Sequence, residues 1–121
     1  MLSDDDVLLL RIVHPAWMED STLSSLVFRP SRGEPISVFD GSMITPEDAF
    51  HRFSKDHVAY GVVGVSVGEV LGLGITIEED REPYPEHTSL VFPDCTKREE
   101  RKLSGELRDC ALSRGWLYKN D

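Results

Sequence analysis

Residues 58–77 read VAYGVVGVSVGEVLGLGITI. Val63, Val65 and Val67 alternate with Gly64, Ser66 and Gly68, and Leu71, Leu73, Ile75 and Ile77 alternate with Gly72, Gly74 and Thr76. A period of two is that of a β-strand. The pattern predicts two strands meeting at Gly68-Glu69. They are joined there either by a two-residue hairpin turn with glycine first or by a short helical turn around Glu69. The glycines leave room for another backbone, or an aromatic ring, to lie close to the strand.

On the N-terminal side, Val7-Leu8-Leu9-Leu10-Arg11-Ile12-Val13 is β-rich and almost continuously apolar. It predicts a central strand buried on both faces, stopped by His14-Pro15, because proline cannot donate to a ladder. Glu19 to Thr22 reads as loop, Ser24 to Phe28 as a short strand and Arg29 to Pro35 as a turn-rich connection. Ile36 to Phe39 reads as a third strand, ended by Asp40-Gly41. Thr45 then caps a helix with Pro46 at its first position and Asp48 three residues after the cap. Ala49, Phe50 and Phe53 form its apolar stripe, and it should end near Asp56.

On the C-terminal side, Glu78 to Glu86 is an acidic, proline-bearing loop, and Thr88 to Phe92 is a further strand. Thr96 and Glu99 form a capping box for a long second helix. Leu103, Leu107, Cys110 and Ala111 recur at helical spacing and predict its buried face. Gly115 is placed to terminate it, with Trp116-Leu117-Tyr118 returning as a short apolar tail. Strands and helices do not alternate regularly, which excludes a doubly wound fold. The expected fold is α+β: a mostly antiparallel sheet of five or six strands with two helices packed on one face.

The chain's 121 residues and 13.6 kDa correspond to one domain, residues 1–121. Apolar residues at 40% and charged residues at 29% are a globular mixture. No apolar run approaches the ~20 residues of a membrane span, and the acidic start MLSDDDV is unlike a secretory leader. The expected location is cytoplasmic, where Cys95 and Cys110 would be free thiols. A net charge of −9 argues against nucleic acid or an anionic membrane as partner. It suits solubility, or fast docking to a basic protein surface.

The sequence contains no GxxxxGK[ST], HExxH or GxSxG, and its two cysteines do not form a CxxC pair. Asp94 and Cys95, near His87, match no regular metal spacing, so neither metal nor cofactor is expected. Two patterns bear on an alternative enzymatic function with a nucleotide-type substrate. His87-Thr88-Ser89 resembles one half of the paired motif of two-histidine phosphoesterases. In that family one histidine acts as base and another as acid. Here His14 lacks the following hydroxyl, and His51 and His57 flank the first helix. The order Arg11, then Ser24 or Ser25, then Glu69 resembles that of one branch of the ADP-ribosyltransferases. The resemblance implies an arginine holding phosphates, a serine supporting the site (Ser25) and a glutamate orienting a ribose.

The leading expectation is a small acidic protein-interaction module of the immunity-protein, antitoxin or accessory-subunit type. Trp17 lies in a polar stretch, either as core edge or as an interface anchor. Glu78, Glu79, Asp80, Glu82 and Glu86 surround Tyr84 between Pro83 and Pro85. The expected partner-binding set is Glu79, Asp80, Glu82, Tyr84 and Trp17, with the acids steering a basic partner toward the aromatic anchor.

Overall fold

The computed structural model describes residues 5–30, 34–80, 82 and 84–119. Among the described residues, eight strands and three α-helices follow in chain order: β1 (Leu8–Val13), β2 (Met18–Glu19), β3 (Thr22–Leu23), β4 (Ile36–Asp40), α1 (Pro46–Ser54), β5 (Gly61–Ser66), α2 (Val67–Gly72), β6 (Thr76–Glu79), β7 (His87–Val91), α3 (Lys97–Arg114) and β8 (Tyr118–Lys119). Six of the strands form one antiparallel sheet in the order β6-β7-β4-β1-β5-β8, and β2 and β3 form a separate ribbon. The fold is α+β, as the patterning implied.

β1 lies inside the sheet, with Leu9, Leu10, Ile12 and Val13 all buried. Alternate residues of a strand face opposite sides, and β1 divides the core accordingly. Leu9 and Val13 join Val63, Val65, Phe28 and the α3 residues Leu107 and Ala111. Leu10 and Ile12 join Phe39, Val62 and the α1 residues Ala49 and Phe50. The sequence implied two helices on one face; α1 and α3 instead cover opposite faces. The alternation of β1 is what permits this, because a strand apolar on both sides needs cover on both.

Local capping accounts for the helix boundaries. Thr45 Oγ1 accepts the Asp48 N–H at 3.1 Å at the start of α1. Thr96 and Glu99 exchange both bonds of a capping box at α3. Gly115 ends α3 at φ +92°, a backbone conformation that favours glycine. The buried stripe of α3 centres on Ser104, Leu107 and Ala111, which leaves Leu103 and Cys110 as half-buried flanks. Ser104 Oγ donates toward the carbonyls of Phe28 (3.0 Å) and Glu100 (2.9 Å).

Two segments differ from the sequence reading. Ser24–Phe28 is not a strand: Ser25–Phe28 is a 3₁₀ turn capped by Ser24, whose hydroxyl accepts the Leu26 N–H. The turn drops Val27 and Phe28 into the core under α3. The strand pairing falls just before it, where Asp20 and Ser21 both take positive φ and close the β2–β3 hairpin. The second difference is at Gly68-Glu69, where the helical alternative holds. Ser66 and Glu69 make a capping box that starts α2. β5 and β6 are not hairpin partners, since β1, β4 and β7 lie between them.

The expected close approach occurs at the β5 end of the glycine-rich stretch, whereas a Cβ on Gly72 or Gly74 would meet open space. A Cβ on Gly61 would stand 2.7 Å from the Tyr118 carbonyl oxygen and 2.9 Å from the Trp116 ring. The C-terminal tail therefore rests directly on this strand, and β8 pairs there.

Candidate functional site

Arg11 interrupts the apolar run of β1, and the structure shows what engages it. The β1–β4 ladder pairs only Leu9 with Asp40 and Leu10 with Phe39. At the next residue the two strands separate, and the Arg11 side chain bridges the opening. Its Nε–H donates to the Val27 carbonyl (2.9 Å) and its Nη1–H to the Ser37 carbonyl (2.8 Å). Its guanidinium lies 4.7 Å from the centre of the Trp17 ring. Burial pushes the guanidinium down to about 10, so it stays charged at neutral pH.

Trp17 is presented by a 3₁₀ turn, Pro15–Trp17, which His14 caps by accepting the Ala16 N–H on Nδ1 at 2.9 Å. The indole is half-buried and packs against the α3-side core.

Asp80, Tyr84 and Glu86 approach the same region. The His87 ring donates from Nδ1 to the Asp80 carbonyl at 2.9 Å, and the Asp80 carboxylate lies 3.6 Å away. A carbonyl only accepts, so Nδ1 supplies the hydrogen of this contact. Glu86 is buried and ion-paired with Arg52 of α1. Tyr84 stacks on the same Arg52, with 4.8 Å from guanidinium carbon to ring centre. The five clustered acids are thus not equivalent. Glu86 holds the loop to α1, Asp80 orients His87, and Glu78, Glu79 and Glu82 face solvent.

Trp17 and Tyr84 line one cavity of about 230 Å³ together with Phe39, Phe53, His57 and His87. Arg11 also contributes to its wall. The two aromatic residues read from the sequence as anchors stand 67 positions apart and converge here. Arg52 and His57 were not readable as members of the site. Their positions on and after α1 mark only a polar helix face, and the Arg52–Glu86 pairing spans 34 residues.

The two enzymatic constellations are placed differently. Ser24 caps the 3₁₀ turn, and Ser25 Oγ accepts from Arg29 Nη2 at 3.2 Å. Glu69 starts α2 near the Leu8 end of β1, which pairs with Ser66. Both of its carboxylate oxygens are bound by Arg114, at 3.0 and 3.2 Å. Arg11 of β1 donates to Val27 of the turn that carries Ser25, but Glu69 is bound by Arg114. Ser89 is buried and sits opposite Ser37 on β4, while the second histidine in the cavity, His57, is followed two positions later by Ala59 and not by a hydroxyl.

Comparison with protein-family models, with curated proteins and with solved structures finds no match. Among the described residues, no group of three histidines, cysteines or acids gathers as a metal site would require. Neither thiol is activated. Desolvation and the carboxylates of Glu99, Glu100 and Asp94 push Cys95 up, and burial followed by Glu69 pushes Cys110 up.

The Glu69–Arg114 pair gives a pH test of the fold. Burial alone would raise the Glu69 carboxyl. Hydrogen bonds from Arg114 and the Ser66 N–H, with the Arg114 charge, outweigh it and hold the carboxyl below its usual range. A lowered folded-state value stabilises above the unfolded value of about 4.3, and that stability disappears as pH falls through the folded value. Thermal melts of Arg114→Gln are therefore expected to lose less stability than wild type between about pH 5 and 3. Parallel curves would show that the pair contributes nothing in solution.

Proposed function

We propose that this chain is an acidic, cytoplasmic protein-binding module of the immunity-protein, antitoxin or accessory-subunit type, engaging a partner with a basic surface. The convergence of Trp17 and Tyr84 on one cavity carries this reading. A cavity of that size accepts a single anchoring side chain, and tryptophan and tyrosine are the residues most enriched where interface energy concentrates. The exposed acids of β6 and the following loop, Glu78, Glu79, Asp80 and Glu82, supply a negative field beside it. β6 is an outer strand of the sheet, and its acidic residues also discourage edge-to-edge pairing with other copies. The free thiols of Cys95 and Cys110 suit a reducing compartment.

The test uses the partner that co-purifies with the tagged full chain. Glu79→Gln/Asp80→Asn/Glu82→Gln is expected to slow association by about tenfold at low salt and to match wild type at high salt, where screening removes the steering. Tyr84→Ala is expected to speed dissociation by about tenfold or more, as loss of an anchor does. Association rates equal to wild type at low salt, with an unchanged dissociation rate for Tyr84→Ala, would refute the assignment.

A further inference from the structure

Arg11 and Trp17 also line a second cavity, of about 430 Å³, which the binding surface above does not use. Its polar groups are Arg11, Arg29, Glu34 and Ser37, and Leu26, Pro30, Pro35 and Ile36 supply apolar wall beside Trp17. Its volume falls within the range of small-molecule sites, roughly 300–1,000 Å³.

Arg11 and Arg29 both line this cavity, and among the described residues neither is ion-paired with a carboxylate. Arg11 uses two of its five N–H groups on the Val27 and Ser37 carbonyls, leaving three for another acceptor. Arg29 donates from Nη2 to Ser25, but its Nε–H is buried and meets no acceptor among the described residues. Buried donors are nearly always satisfied, so an orphan on a cation calls for an explanation. Glu34 is the only carboxylate on the cavity wall among the described residues, and it is solvent-exposed. Arginine is the side chain suited to multi-point recognition of phosphate and carboxylate oxygens.

We propose that this cavity binds a small phosphate monoester, its phosphoryl oxygens bridging Arg11 and Arg29 and its organic part resting on Trp17 and the proline-lined wall. A phosphoryl group offers three oxygens to the unpaired N–H groups of two guanidiniums. Its charge offsets the desolvation that holds Arg11 below the ordinary arginine value. The ester's body fills the apolar part of the cavity, so the ester binds more tightly than free phosphate. The acidic surroundings favour ligands that pay for entry with direct guanidinium contacts over diffusely held anions.

The probe is phenyl phosphate, titrated into the isotope-labelled full chain and followed by ¹H–¹⁵N NMR, with inorganic phosphate and phenol as parallel arms. The Trp17 indole N–H and the Arg29 Nε–H signals are expected to shift saturably with phenyl phosphate, while the Trp116 indole signal stays fixed as an internal control. Arg29→Gln, which retains Arg11 and its fold-bearing contacts, is expected to weaken binding about tenfold or more, the loss of one charge-assisted hydrogen bond. Its thermal midpoint verifies folding. No saturable shift would overturn the site. Phenol binding as tightly as phenyl phosphate, or Arg29→Gln binding as tightly as wild type, would overturn the anion assignment. Inorganic phosphate binding as tightly as the ester would overturn the role of the apolar wall.

Discussion

Leu107→Ala is expected to lower the free energy of unfolding by about 2–5 kcal/mol. Leu107 is completely buried and is the largest of the three side chains, with Ser104 and Ala111, that α3 turns into the core. The cluster it belongs to also holds Leu9, Val13, Phe28 and Val63, from β1, the 3₁₀ turn and β5, so the packing around it is shared among several elements. Ser104 and Ala111 on the same stripe are already small, which leaves nothing on the helix able to expand into the void. The cost therefore combines lost transfer energy with a persistent cavity. Leu103→Ala on the half-buried flank is expected to cost about 1 kcal/mol or less, in proportion to the smaller area it removes from water. Urea unfolding of both variants checks the contrast, read at unchanged slope. A loss below about 1 kcal/mol for Leu107→Ala would mean that α3 does not dock on the sheet as described.

Arg11→Met is expected to destabilise by about 2 kcal/mol. Methionine replaces the aliphatic stem but leaves the Val27 and Ser37 carbonyls without their donor, where β1 and β4 have already separated. Hydrogen bonds from a charged donor contribute roughly 1.5–3 kcal/mol each, and release of the desolvation cost returns part of that sum. Arg11→Lys is not expected to rescue, because one ammonium cannot span two carbonyls and lie flat on Trp17 as the planar fork does. Thermal melts of both variants at neutral pH distinguish a structural arginine from a purely catalytic one. Wild-type stability in both would show that the side chain does not hold the sheet opening together.

Features governed by residues within four positions of one another were legible in the chain. Thr45-Pro46 and Thr96 with Glu99 announced α1 and α3 because a cap is a bond between near neighbours. Gly115 marked the end of α3 because the required backbone conformation suits glycine. The same local rule was available at Ser66 and Glu69, but the alternating apolar pattern around it argued for strand. The capping box prevailed because it satisfies two backbone donors at once.

The site was less legible. The acidic segment and its tyrosine stood out in the sequence, and so did Trp17, but nothing linked them. Arg52 and Glu86 form a pair only because α1 and the start of β7 are brought together by the sheet.

By itself the sequence determined the class of the fold, the helices α1 and α3, and the interior strand β1. Each of these follows from periodicity or from short-range hydrogen bonding, which any stretch carries within itself. Tertiary structure decided which face each helix covers, that Ser25–Phe28 coils into the core, which carbonyls receive Arg11, and that Trp17 and Tyr84 share a cavity. Those outcomes depend on contacts between distant residues. Their energies are set by burial and by the pairing of polar groups after the chain has closed on itself, and no local window of sequence contains them.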